Sequence, residues 1–181
     1  MAGTQVALIR GINVGRAKRI AMADLRAVFE QLGFRDVRTL LNSGNVVFSG
    51  GRSAPAAAAT RIEKAIDSQL GVSARVTVLT SAELAAAVAE NPLKQAAESP
   101  SRFLLEVLRD PTDRAKLAPL AKRDWAPEAM ALGTRVAYLW CAEGILASAL
   151  GAAVGKALGD GVTARNWTTM LKLNALAQES G

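Results

Sequence analysis

The stretch VALIRGINVGRAKRIAMADLRAVFEQLGFRDVRTLLNSGNVVFSG, residues 6–50, decides the fold. Its first residues belong to a short β-prone apolar run, Gln5 to Ile9, and the chain then breaks into a loop carrying Gly11 and Gly15. Met22, Leu25, Val28, Phe29 and Leu32 follow at helical spacing, and Gly33 stands where a helix C-terminus is expected. Val37 to Leu41 and Asn45 to Phe48 read as two strands joined through Asn42, Ser43 and Gly44, residues that supply turn geometry and positive φ at little cost. Downstream, Ala56 to Leu70 resumes helical spacing and Arg75 to Leu79 alternates as a strand. The order βαββαβ is the ferredoxin-like arrangement.

Beyond it, Ser81 to Glu90 reads as a helix with Ser81 as candidate N-cap, ended by Asn91-Pro92. The Pro- and Ser-bearing stretch to Pro100 marks a boundary, giving an N-terminal βαββαβ lobe over 1–90 and a C-terminal α/β lobe with a terminal helix over 91–181. In the second half, Arg102 to Leu108 reads as a strand, Thr112 to Lys122 as a helix, and Ala129 to Leu132 with Val136 to Trp140 as a hairpin. Ile145 to Leu158 and about Asn166 to Gln178 complete it as helices. The expected fold class is therefore α+β, two ferredoxin-like α/β lobes in tandem.

Length and composition narrow the chemistry. The 181 residues are 50 % hydrophobic and 4 % aromatic, with 36 alanines, a balance that favours helix-rich cores with few large rings. With no histidine and a single cysteine, Cys141, there is no Ser/His/Asp triad, no Cys/His pair, no ordinary zinc or haem site and no internal disulfide. The carboxylates are dispersed, so neither a metal cage nor a catalytic pair is legible, and no cofactor is expected. The longest apolar stretch, Ile145 to Gly155, is shorter than the roughly 20 residues of a membrane span. With no secretory leader pattern either, the expectation is a soluble cytoplasmic protein that does not engage membranes. Its formal charge of +6 permits attraction to nucleic acid, nucleotides or other anions.

Three segments could carry function. RGINVGRAKR, residues 10–19, holds four cations and no anion between the first strand and the first helix. Gly11 and Gly15 let the backbone turn and present N–H groups, while Arg10, Arg16, Lys18 and Arg19 suit a phosphate or carboxylate. It is neither a Walker loop nor a dinucleotide fingerprint, and a solvated connection would use the same residues. NSGN, Asn42 to Asn45, concentrates amides and a hydroxyl that could read a polar edge, although a hairpin turn needs the same types. A Ser43 dyad with Lys18 or Lys172 is formally open, but no spacing brings them together. TARNW, residues 163–167, enters the last helix. Thr163 or Asn166 could cap it, Arg165 could fork onto an oxyanion, and Trp167 could stack on a ring or anchor a core.

These segments, with the terminal TARNWTTMLKLNALA, resemble the bacterial family catalogued as domain of unknown function 1697. The paired motifs RGINVG with SGNVVF at the front and TARNW with KL at the back carry the resemblance from Val6 to Ala177. It implies two ferredoxin-like lobes and supplies no reaction. Its motif positions fall on Arg10, Gly11, Asn13, Gly15, Ser43, Gly44, Asn45, Arg165, Asn166, Trp167 and Lys172. Two departures stand out: Asn42 replaces a glutamine common before SGN, and Ala149 stands where a Ser-Lys-Leu stretch would place lysine. The resulting expectation is an anion-binding cleft between the lobes, formed by the 10–19 loop, the NSGN turn and the TARNW helix start. Nucleic acid or a nucleotide is the favoured ligand. The alternatives are an enzyme acting on a small phosphorylated or carboxylated metabolite, and a protein-interaction scaffold. The sequence fixes no oligomeric state.

Overall fold

The computed structural model describes residues 3–16, 19–51 and 53–180. It is α+β, with two four-stranded antiparallel sheets. The first half runs β1 (Gln5–Arg10), α1 (Met22–Gln31), β2 (Arg35–Leu40), β3 (Asn45–Ser49), α2 (Pro55–Leu70) and β4 (Arg75–Thr80), with sheet order β2-β3-β1-β4. After α3 (Ser81–Ala89) and the short α4 (Gln95–Glu98), the second half runs β5 (Phe103–Leu108), α5 (Arg114–Ala121), β6 (Ala129–Leu132), β7 (Val136–Trp140), α6 (Ala149–Leu158), β8 (Val162–Asn166) and α7 (Trp167–Glu179). Its sheet order is β6-β7-β5-β8.

The chain divides into two compact units, Met1–Leu84 with Leu173–Gly181, and Ala85–Lys172. The division falls ahead of the boundary at Glu90 and Asn91 expected from sequence, and the last residues of α7 belong to the first unit. In that unit, Ala7, Ile9, Val46, Phe48, Val76 and Val78 face α1 and α2, whose Leu25, Phe29, Ile62 and Ile66 close the core. Phe29, Phe34 and Phe48 meet at centroid distances of 4.6 to 5.9 Å, a tilted and edge-on cluster that fills the centre. The second core sets Leu104, Leu108, Leu139 and Val162 against Leu117, Leu150, Val154 and Leu158. Central strands β1 and β5 are buried on both faces, since Val6, Leu8, Leu105 and Val107 are as inaccessible as their neighbours. That is why both strands read as continuous apolar runs rather than alternating ones.

Three local readings are corrected. The N-cap of α3 is Thr80 rather than Ser81: Thr80 Oγ1 accepts from the Glu83 backbone N–H at 3.1 Å while Glu83 Oε2 accepts from the Thr80 N–H at 2.8 Å, a reciprocal capping box. Residues 145–147 form a 3-10 turn, and α6 starts only after Ser148, whose Oγ accepts from the Gly151 N–H at 2.8 Å. Most consequentially, Val162 to Asn166 is a strand that pairs with β5 and completes the second sheet. Its short stretch has no clean alternation and abuts a helix start, so periodicity alone missed it. Among the described residues, no helix is long and apolar enough to cross a membrane.

Candidate functional site

Antiparallel pairing brings three connections to one end of the first sheet: the β1–α1 loop, the β2–β3 turn and the α2–β4 loop. Asn13 ties the first two together. Its Oδ1 accepts from the Ile20 N–H at 2.7 Å, and its Nδ2 donates to Ile20 O at 3.0 Å and to Asn42 O at 2.7 Å. The Ile9 N–H donates to Gly44 O at 2.7 Å. Gly44, at φ +84°, lies so close that a Cβ there would meet Ile12 Cδ1 and Ile9 Cβ at 2.9 Å. Loop and turn are thus one clamped structure. Two non-glycine residues in it hold left-handed backbone, Asn13 at φ 53° and Leu41 at φ 58°. Asparagine tolerates that conformation, whereas leucine is strained by it.

The candidate amides divide by this geometry. Asn13 is occupied in the clamp, and Asn45 is fully buried, its Nδ2 donating to Leu40 O and Ser43 Oγ, both at 2.9 Å. Asn42 is different. Its backbone carbonyl is held by Asn13, and its exposed carboxamide has no hydrogen bond among the described residues. It lines a cavity of about 460 Å³ with Asn13, Arg19, Ile20, Ala21 and Met22. The last two open α1, whose N-cap Ala21 provides no side-chain cap. Gly11 and Gly15 both adopt positive φ, at 84° and 64°. Lys18 lies outside the described residues.

The connections at this end are basic, and one carboxylate reaches them from α2: Glu63 Oε1 accepts from the Val76 N–H, beside Arg75, at 2.8 Å. Arg10 and Arg75 are cross-strand partners in the β1–β4 register. Arg16 and Arg19 are exposed and, like Arg75, have no ion-pair partner among the described residues. Residues 11–21, 41–44 and 71–74 contain no acid; the nearest in α1 is Asp24, in its first turn. Arg75 was missed by motif reading, because only strand register sets it opposite Arg10.

The corresponding end of the second sheet is satisfied internally. Asp110 Oδ1 accepts from Thr112 N–H and Oγ1–H at 2.9 and 2.7 Å, which pulls its carboxyl below the usual range. Lys116 pairs with Asp113 at 2.7 Å, Arg114 Nε donates to Gly133 O at 2.9 Å, and Arg135 Nη2 donates to Leu108 O at 3.1 Å.

The TARNW residues straddle β8 and α7. Thr163 is buried in the strand, Asn166 Oδ1 caps α7 by accepting the Thr169 N–H at 2.9 Å, and Trp167 meets Phe103 edge-on at 5.6 Å. Arg165 Nη1 donates to Ala164 O at 2.7 Å, and burial pushes its guanidinium down to about 10. Lys172 is exposed on α7. Ala149 begins α6, where Glu128 Oε2 accepts the following N–H, that of Leu150, at 3.0 Å. Cys141 is fully buried, and desolvation raises its thiol, so it packs as a small apolar group. Among the described residues, no cluster of three or more His, Cys, Asp or Glu could hold a metal ion.

Fold and loop geometry together define an α+β protein of two antiparallel sheets with a clamped basic tip on the first. The family model Protein of unknown function (DUF1697) matches residues 2–138, and the chain belongs to that family. Among solved structures, it is similar to a conserved bacterial protein from Streptococcus pneumoniae with a TM-score of 0.79 and 21 % identity, covering 98 % of this chain and 99 % of that one. At that identity the likeness establishes the fold. No curated protein matches the chain.

Proposed function

We propose that this protein binds an anionic, phosphate-bearing ligand, a nucleotide or nucleic acid, at the basic end of its first sheet. The observation that carries this reading is the contrast between the two sheets. At one end Arg16 and Arg19 stand exposed in an acid-free connection with no ion-pair partner among the described residues, while the connections at the matching end of the other sheet carry Asp110 and Asp113. Exposed cations in a loop that carries no acid favour anions, and a preorganised backbone lowers the ordering cost of binding. We read each unit as ferredoxin-like, on the strength of its βαββαβ order and central first and third strands. A cytoplasmic setting, where nucleotides and nucleic acids are abundant, belongs to the same proposal.

Fluorescence anisotropy with labelled nucleotides and short DNA and RNA oligomers tests it. Binding should weaken steeply with salt, as phosphate contacts require. The double substitution Arg16→Glu with Arg19→Glu should weaken it by about tenfold or more, roughly 1.4 kcal/mol, without lowering the unfolding midpoint. Affinity that is insensitive to both salt and charge reversal would overturn the reading.

A further inference from the structure

The cavity beside Asn42 narrows the class of ligand. Resting on the anion-binding reading above, we infer that it takes a single nucleotide, with the phosphate toward Arg19 and the base edge toward the Asn42 carboxamide, rather than a run of nucleic acid. At about 460 Å³ the cavity falls within the range of small-ligand pockets. Its wall joins apolar surface from Ile20, Ala21 and Met22 to one carboxamide and one guanidinium. A flat ring with a hydrogen-bonding edge and an attached phosphate matches all three features, whereas a sugar phosphate would set its hydroxyls against the apolar wall without partners.

A polymer fits less well. Residues 11–21, 41–44 and 71–74 contain no Phe, Tyr or Trp, so this end offers no ladder of aromatic rings on which successive bases could stack. The Asn42 carboxamide presents one donor and one acceptor side by side, the pair that reads a base edge bidentately. It is placed for that task because the Asn13 clamp fixes the Asn42 backbone while its side chain has no hydrogen bond among the described residues.

Isothermal titration of the full chain with the four ribonucleoside 5′-monophosphates, their unphosphorylated nucleosides, inorganic phosphate and a single-stranded oligonucleotide decides the matter. At least one monophosphate should bind about tenfold more tightly than either its nucleoside or inorganic phosphate, and the oligomer should bind no more tightly per site. Arg19→Gln should abolish the phosphate advantage. Asn42→Ala should remove the preference among bases, and Asn42→Gln should restore part of it. Oligomer binding without mononucleotide binding would overturn the single-nucleotide inference and leave anion binding standing. Phosphate binding as tight as that of any nucleotide would do the same, and so would an unchanged base preference in Asn42→Ala. No binding by any phosphate-bearing probe at low salt would overturn both readings.

Discussion

Gly44 and Asn13 show how much of the basic tip rests on single residues. Gly44→Ala sets a Cβ against Ile9 and Ile12 in a left-handed backbone, and urea unfolding should report a loss of about 1–3 kcal/mol. Asn13→Asp keeps the acceptor for the Ile20 N–H but turns the donor aimed at two carbonyls into a second oxygen; a similar loss of about 1–3 kcal/mol is expected. The sequence shows which residue types gather in RGINVG and NSGN. It does not show that one asparagine is absorbed in a clamp, another is buried, and a third faces a cavity. Those roles depend on contacts between residues that the chain separates. Tyr138, the one tyrosine, is accessible to direct measurement. Its hydroxyl donates to Ala87 O at 2.7 Å, and burial, with the charge of Glu90, holds its phenol up to about 12. Ultraviolet titration of the phenolate should therefore show no ordinary step near 10 while the fold persists. Between about 10 and 12 the unfolded chain gives up this proton and the folded one keeps it, so this group's contribution to stability falls as pH rises through that window.

Among the elements, helices and hairpins were legible because their signals are local. The span of α1, its stop at Gly33 and the β6–β7 hairpin all follow from spacing and turn residues. The existence of α3 was legible, but its cap was read at Ser81, one residue beyond the Thr80 that forms the Thr-Ser-Ala-Glu box with Glu83. Thr80→Ala should cost about 0.5–2 kcal/mol by thermal unfolding, with Ser81→Ala close to neutral by comparison. Strand β8 was not legible, because its evidence lies in β5: the pairings Leu105 with Arg165 and Val107 with Thr163 make those residues a strand. The pairing also changes the setting of Arg165, which sits on a sheet edge one residue before the Asn166 cap and not in the first turn of α7.

At the scale of the whole molecule, the βαββαβ order of the first half and the strand, helix, hairpin, helix repeat of the second were readable, but the last strand and the allocation of the chain were not. Helix α7 begins in the second unit, and from Leu173 onward it belongs to the first. Leu173 and Ala177 are buried, Ser180 O accepts from Thr4 Oγ1 at 3.2 Å, and Arg38 pairs with Glu179 at 3.2 Å. The exposed ion pair contributes little, so buried apolar surface does most of the anchoring. Leu173→Ala should lower stability by about 2–5 kcal/mol, and hydrogen exchange should show the loss in β1 and β2. Because a ribosome makes residues 173–180 only after the entire second unit, a nascent chain that has already emitted all of β1 to β4 still lacks part of that unit's packing. Packing of its first sheet is complete only once residues 173–180 are made, and a stop codon near Lys172 would damage a part of the protein synthesised before the second unit.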